Sequence, residues 1–463
     1  MKPSKLIDDY DGFLKPKGSV KERIANGKKL RELCPRTSHA DWRAPSERKD
    51  PLEWLSSQDV SRVQSLVPLR YGRMMYSPFT FLRGAALIMA SDLAFMGSSG
   101  AIVQLCGDCH LSNFGIFATP ERNIVFDLND FDETLPGPFE WDLKRLGVSI
   151  AAAAIDNKLS KTAAARCVEA CSKAYRKRME QFAYKTALDV WYDRVDWQYL
   201  IDRISKPGSK QALNLETLRT RRSHAGAVAK LTEVIDGKRR IKDNPPLIYH
   251  SDIATADAMN QVFLSYLSSL WESRQRLLQR YSFVDVAQKV VGIGSVGTAA
   301  AIVLLEGEGG ELDQIFLQVK EANSSVLERF LGQSQYRHHG ERVVHGQRLL
   351  QSASDLFLGW TQGPRRQFYV RQLMDHKASV PIDELDADSL ANYAAVCGYV
   401  LARGHARSGD PAVIHGYLGT STTFDEALSK FALAYLKQNE QDFSVLLKAI
   451  KSGAVEARSV GKE

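Results

Sequence analysis

Gly107-Asp108-Cys109-His110-Leu111-Ser112-Asn113 stands shortly ahead of a second polar run, Phe126-Asp127-Leu128-Asn129-Asp130-Phe131-Asp132-Glu133. Acids this dense repel one another unless a cation or water compensates. Asp and Asn oxygens on loops after strands suit a hard cation such as Mg2+, which takes a few protein oxygens together with substrate phosphates. The same residue types also form turns and cap helices, which is the plain structural alternative. Cys106 and Cys109 frame the first run as C-x-x-C, a spacing found in redox and zinc sites. No second such pair lies near it, and Cys167 and Cys171 are spaced as packing residues on one helix.

A second signal is Gly292-Ile293-Gly294-Ser295-Val296-Gly297, between two apolar stretches. Backbone N–H groups in such a turn can approach phosphate oxygens closely. A dinucleotide fold would need a helix directly after the loop. Ala299–Leu305 reads instead as a strand, which favours strand, glycine turn, strand; a plain tight hairpin is the alternative. Lys320 ends the following strand. A lysine there can pair with the α- and β-phosphates of a nucleotide once a carboxylate on the next helix orients it. Glu328 and Glu341 are both candidates for that carboxylate.

The first two runs resemble the catalytic loop of aminoglycoside and choline kinases, H-G-D-x-H-x-x-N, a short hairpin, I-D-F-D, and a helix-starting D-L. Here the pattern is Gly107-Asp108-x-His110-x-x-Asn113, then Asp130-Phe131-Asp132, then Asp142-Leu143. Cys106 replaces the usual His and Asn129 the usual Ile. The resemblance implies that Asp108 accepts the proton of an attacking hydroxyl. It implies that Asn113, Asp130 and Asp132 hold the metal, that Gly292, Gly294, Ser295, Gly297 and Lys320 bind ATP, and that Asp142 braces the loop from behind. His110 has a structural or a chemical part.

The order is unusual for a kinase, in which the glycine turn and lysine precede the catalytic loop. After Lys320 come a helix, two strands and Gln372-Leu373, which would make the hinge. Tyr393–Arg407 then looks like the helix that normally precedes the catalytic loop, with an L-A-x-x-H ending at His405. The expectation is a circular permutation, tolerable where chain ends lie close together at the surface.

Stepping outward, the 463 residues carry 61 basic and 54 acidic side chains, a net charge of +7. That balance permits an anionic partner such as a nucleotide and does not by itself imply a nucleic-acid binder. Apolar and charged fractions are those of a globular chain, which excludes a disordered chain or a disulfide-stapled miniprotein. The longest apolar stretches, Val148–Ile155 and Val396–Ala402, fall short of the roughly 20 residues of a membrane span, so no membrane partner is expected. Met1–Tyr10 does not read as a signal peptide, and the expected location is the cytoplasm.

Lys15–Lys29 and Arg43–Asp50 read as solvated segments, with a helix over Val20–Cys34. Helical spacing continues over Val60–Met75 and Phe81–Met96, with Ser77 capping and Pro78 starting the second helix. Ala101–Cys106 reads as a strand, Gly115–Ala118 and Asn123–Leu128 as a hairpin, and Asp130–Pro138 as a loop. A long helical region runs from Trp141 to about Tyr281, with breaks at 205–212 and 236–246. Val284–Ile293, Ala299–Glu306, Gln314–Lys320, Leu356–Trp360 and Gln367–Leu373 read as strands, with a helix over His339–Ser352. Leu390–Arg407, Phe424–Gln438 and Gln441–Ile450 read as helices. Arg70, Arg73 and Arg83 dock a partner, line an acceptor site, or sit on solvated helix faces.

The runs RMMYSPFTFLRG (73–84), QLCGDCHLSNFG (104–115), FDLNDFDETLPGPFEWDLKRL (126–146), VGIGSVGT (291–298), LQVKEA (317–322) and LARGHARSGD (401–410) together resemble an uncharacterised bacterial family, domain of unknown function 2252. Cys109 stands where that family usually has a small residue. The resemblance implies a protein-kinase-like fold and brings no substrate. The resulting expectation is an α+β, two-lobe, circularly permuted kinase-like fold with an added N-terminal helical segment. Residues 1–100 form the arm and extension, 101–280 the catalytic loop and helical lobe, 281–380 the β-rich nucleotide lobe, and 381–463 the helices completing the first lobe. The expected activity is ATP- and Mg2+-dependent phosphotransfer to a small hydroxyl-bearing acceptor. Adenylyl transfer, or nucleotide binding without turnover, is the alternative.

Overall fold

The computed structural model describes residues 17–205, 224–250, 256–290, 292–373 and 379–458. The fold is mixed α+β with several small sheets. In chain order the strands are β1 (Ile102–Leu105), β2 (Phe114–Ala118), β3 (Ile124–Leu128), β4 (Leu135–Pro138), β5 (Val195–Asp196), β6 (Thr232–Ile235) and β7 (Lys238–Ile241). They continue with β8 (Ile248–Tyr249), β9 (Tyr281–Lys289), β10 (Ala300–Gly307), β11 (Gln314–Glu321), β12 (Gly359–Gln362) and β13 (Gln367–Gln372). The largest sheet is antiparallel, in the order β12-β13-β11-β10-β9-β8. Strands β10, β11 and β13 and the helix His339–Leu350 fall where the sequence places them, whereas β9 starts and ends earlier than the expected 284–293, β12 lies later than the expected 356–360, and β8 falls in a stretch expected to be helical.

The main core is helical. Helices Phe139–Asp156, Lys161–Ala183, Ala387–Ser408 and Thr423–Lys451 bury a continuous apolar cluster that also takes in β1 to β4. The alanine run Ala151–Ala154 is fully buried, which lets neighbouring helices approach closely around the loop after β1. No helix among the described residues is long and apolar enough to cross a membrane.

Several expectations need correction. The N-terminal stretch is docked rather than solvated. Helix Val20–Leu33, opened by a Ser19–Glu22 capping box, lies on helix Pro411–Leu418 so closely that a Cβ at Gly27 or Gly416 would overlap a carbonyl of the other helix. Arg31 donates to the carbonyls of Tyr417 and Gly416, and Arg48 bridges the buried carboxylates of Asp92 and Asp442. Residues 15 and 16 of that stretch, and Met1–Tyr10, lie outside the described residues.

Of the expected helix Val60–Met75 only Val67–Met74 is α-helical, with Pro68 in its first turn, and a separate helix, Pro51–Asp59, precedes it where none was expected. Phe81–Met96 divides at Ala85, while Ser77 caps the preceding piece by accepting from the Thr80 amide (3.2 Å). Pro136-Gly137-Pro138 is not loop. It forms β4 against β1, a two-stranded pairing that tolerates proline on its open side. The expected break at 236–246 hides the hairpin β6–β7, turned by Asp236 and Gly237 with φ of +50° and +74°. The break at 205–212 lies outside the described residues beyond Ser205. The last two expected helices are one, Thr423–Lys451.

Candidate active site

The loop after β1 turns at Gly107, whose φ of +88° places it in the left-handed region, with the Glu133 carbonyl packed where a Cβ would stand. Asp142, in the first turn of helix Phe139–Asp156, accepts from the amides of Cys106 (2.8 Å) and Gly107 (3.1 Å). His405 Nε2 lies 3.2 Å from the same carboxylate. A carboxylate accepts, so Nε2 carries a proton, and Nδ1 lies 2.8 Å from Tyr175 Oη. The loop is thus held from behind, as expected of Asp142, and His405 joins that brace.

Ahead of the brace the loop presents Asp108. Arg145, one turn along from Asp142, donates from Nε to Asp108 Oδ1 (2.5 Å) and from Nη2 to the Leu82 carbonyl (2.8 Å). The arginine side chain is 4% exposed and the aspartate 20%. One face of Asp108 is therefore anchored and the other opens to the cavity. His110 Nε2 lies 3.8 Å from Asp108 Oδ2. Burial pushes the His110 imidazole down to about 3, with Arg83 and Arg145 adding to the fall against Asp108, so the ring is neutral. Asn113 donates from Nδ2 to the Asp108 carbonyl (2.6 Å), which leaves its Oδ1 as an acceptor.

Asp130 and Asp132 follow β3. Asp130 Oδ1 accepts from the Asp132 amide (3.2 Å). Asp132 receives Lys320 Nζ, Ser295 Oγ (3.1 Å) and Tyr369 Oη (2.9 Å), and Asp130 lies 3.8 Å from the same lysine. Lys320 is 3% exposed. Burial works against its charge, but the carboxylates of Asp130 and Asp132 prevail and hold the ammonium well above the ordinary lysine range.

The expected carboxylate partners of Lys320 are corrected here. Glu328 accepts from the Ser325 amide and lies 3.8 Å from Arg342, and Glu341 lies 3.8 Å from His345. The lysine is oriented by Asp132, far away in sequence, because the end of β11 packs against the loop after β3 rather than against the following helix.

One cavity of about 700 Å³ opens onto the two acidic loops and the glycine turn, while Lys320, bonded to Asp132, is not part of its lining. Its walls include Asp108, Asn113, Asp130 and Asp132 on one side and Gly292, Gly294 and Ser295 on the other, with Glu328 at a further edge. Gly297 closes the same turn from behind, and Glu341 lies outside the lining. The carboxylates and the Asn113 amide oxygen are the hard donors a magnesium ion prefers. Asp130 and Asp132 keep side chains 31% and 25% exposed, so they are open to a ligand. Among the described residues, the amides of Gly294, Ser295 and Gly297 have no hydrogen-bond acceptor, as an anion-binding turn requires.

Asp127, in the same acidic run, is turned away. It accepts from Arg403 (2.5 Å) and from the Ser352 amide and hydroxyl, and serves the core. All six cysteines are free and buried. Burial pushes the Cys109 thiol up to about 12 and Cys106 well above the ordinary range. Their sulfurs approach Asp142, but its oxygens already accept N–H bonds, and neutral buried thiols are inert. The C-x-x-C is packing. Arg70 and Arg73 are buried, not solvated, and Arg83 lines the cavity. Arg145, Tyr369 and Arg342 carry no local motif, so only the fold reveals their part; Arg342 spans the carbonyls of Asp132, Thr134 and Asn323.

Glu133 also lines the cavity. Burial pushes it up to about 7 from an ordinary 4.5, against Arg342 and the Val326 amide. A carboxyl raised in the folded state contributes stability that is full below its unfolded pKa and is lost as pH rises to the folded value. Stability should therefore fall between pH 4.5 and about 7 by way of this group. Glu133→Gln, which keeps an oxygen for the Val326 amide, should flatten that part of a urea-midpoint profile. An unchanged slope would contradict the assignment.

A family model described as an uncharacterized protein conserved in bacteria (DUF2252) matches residues 62–449. No curated protein and no solved structure matches the chain.

Proposed function

The chain belongs to that uncharacterised bacterial family, and from the cavity we propose that it is an ATP- and Mg2+-dependent phosphotransferase acting on a small hydroxyl-bearing acceptor. The observation that carries the reading is the convergence of Asp108, Asn113, Asp130 and Asp132 with the 292–297 turn around one cavity, with Lys320 on Asp132 beneath it. The glycine turn and Lys320 are remote in sequence from the two acidic loops, and unrelated turns have no reason to meet them there.

The framework supports a circularly permuted, kinase-like arrangement. From β9 onward the chain runs strand, glycine turn, strand, lysine strand, helix, two strands. Helix Ala387–Ser408 then ends against the strand that leads into the Asp108 loop, where Ser408 Oγ accepts from the Gln104 amide (3.0 Å). The two segments that the inferred permutation separates in sequence are thus neighbours in space.

In this reading the turn amides and Lys320 hold the nucleotide phosphates. Asn113, Asp130 and Asp132 would hold Mg2+, which supplies charge neutralisation of the phosphates when bound. Asp108, fixed by Arg145, orients the acceptor hydroxyl and takes its proton. The acceptor oxygen forms a bond to the γ-phosphorus, the bond from that phosphorus to the bridging oxygen breaks, and ADP leaves with the electron pair.

Incubation with ATP labelled at the γ- or the α-phosphate, against a panel of small hydroxyl compounds, tests the reading. Label from the γ-position on an acceptor is the expected result. Label from the α-position alone would replace it with adenylyl transfer. Nucleotide binding without transfer of either label would leave a nucleotide-sensing protein.

A further inference from the structure

The glycine turn is held by residues that belong to neither the sheet nor the Asp108 loop, one of which, Arg62, also reaches the cavity wall. Arg73 donates from Nη1 to the Gly292 carbonyl, Arg62 donates from Nη1 to the Val296 carbonyl, and the Val63 amide donates to the Gly297 carbonyl (2.7 Å). All three donors come from residues 62–73, and the acceptors are three carbonyls of one short turn. Its apolar side chains are anchored in the same place. Ile293 is buried among Leu55, Tyr71, Met74, Phe81 and Ile88, and Val296 among Leu66, Leu69 and Val290. Gly292 and Gly297 have φ of +64° and +88°, and a Cβ at Gly297 would press on the Arg62 side chain. In a trans peptide the N–H points opposite to the carbonyl before it, so pinning the Gly292 and Val296 carbonyls turns the amides of Ile293 and Gly297 the other way, and neither has an acceptor among the described residues.

Resting on the nucleotide reading above, we propose that residues 51–94 are a positioning element of the phosphate site, with Arg62 and Arg73 holding the glycine turn in its anion-binding form before any ligand arrives. A glycine-rich turn of this composition is otherwise expected to lose conformational entropy on closing over phosphates. Three hydrogen bonds and two buried side chains remove that cost in advance. The N-terminal helices thus belong to the ligand-binding site rather than forming an appended support.

The test has two readouts on the full chain. The first is hydrogen exchange without nucleotide at the Val296 and Thr298 amides, which bond to the Ile293 and Ser295 carbonyls and so report local opening of the turn. The second is Mg-ATP affinity together with KM and kcat. Arg73→Ala and Arg62→Ala should each accelerate exchange in the turn by about tenfold or more, the effect of losing a charge-assisted hydrogen bond. They should weaken Mg-ATP binding by a similar factor and raise KM with kcat little changed. Arg73→Lys keeps a donor and should restore part of the affinity.

If an arginine variant fails to fold, Val63→Pro removes the amide donor while keeping both arginines and an apolar side chain beside Val296, and Val63 already has a φ of −66°, within the proline range. Unaltered exchange in the variants would overturn the clamp. Faster exchange with unaltered affinity in a wild type that binds Mg-ATP would overturn the positioning role while leaving the nucleotide reading in place. A wild type that binds no Mg-ATP would overturn the nucleotide reading and the positioning role together.

Discussion

With Asp108 replaced by asparagine, the protein should bind Mg-ATP as tightly as wild type and transfer phosphate about 10³-fold more slowly, the loss typical of a removed proton acceptor. The choice of asparagine follows from Arg145. That guanidinium is 4% exposed and donates to Asp108 at 2.5 Å. Removing the partner of a buried ion pair costs about 3–5 kcal/mol because a charge is left uncompensated. Asp108→Ala would therefore confuse loss of chemistry with loss of fold. Asparagine removes the charge as well, but it keeps an oxygen that accepts from Arg145, so the guanidinium is not left without a partner while the capacity to receive a proton is lost. Fluorescence titration with Mg-ATP beside single-turnover transfer separates the two. A variant that binds normally and transfers at the wild-type rate would remove Asp108 from the reaction.

Replacing Asp142 by alanine should instead unfold the protein more readily, by about 4 kcal/mol, and abolish transfer. Three groups lose their acceptor at once: the amides of Cys106 and Gly107, and His405 Nε2. Each buried donor left unsatisfied costs about 1–3 kcal/mol. Asp142 is 2% exposed and His405 0%, so water has poor access to take over. Denaturant midpoints measure the effect. His405→Phe should be milder, because it removes one donor and leaves both loop amides braced. A stability near wild type in Asp142→Ala would show that something else holds the loop.

The difference between these two variants follows what the sequence could and could not reveal. Asp108, Asn113 and Asp130 were legible because the chemistry is compressed into short loops, where residue type and spacing survive without knowledge of the fold. The strands β9 to β11 were legible because their apolar runs are broken by glycine-rich turns. Partners across long sequence separations were not. Arg145 on Asp108, and Tyr369 and Lys320 on Asp132, pair only because packing brings their segments together. A search for the Lys320 partner along the following helix therefore found Glu328 and Glu341 and missed Asp132.

Polar residues read as solvated went wrong for the same reason. Arg70 is fully buried because Asp59, Gln58 and the Gly84 carbonyl replace its water. Local turn chemistry misled at both ends of its range. Pro136-Gly137-Pro138 looks like a loop and pairs as β4, whereas Asp236-Gly237 looks like a break and turns the hairpin β6–β7.

The most direct measurement is the thermal midpoint of the purified full chain across an Mg-ATP series, with and without magnesium, for wild type and Asp130→Ala. A ligand at about 100 times its dissociation constant stabilises the fold by about 2.7 kcal/mol, a readily observed rise. The expected result is a magnesium-dependent rise in wild type that is much smaller in Asp130→Ala. No rise at any Mg-ATP concentration, or an equal rise in the variant, would contradict the assignment of this cavity to a metal-bound nucleotide.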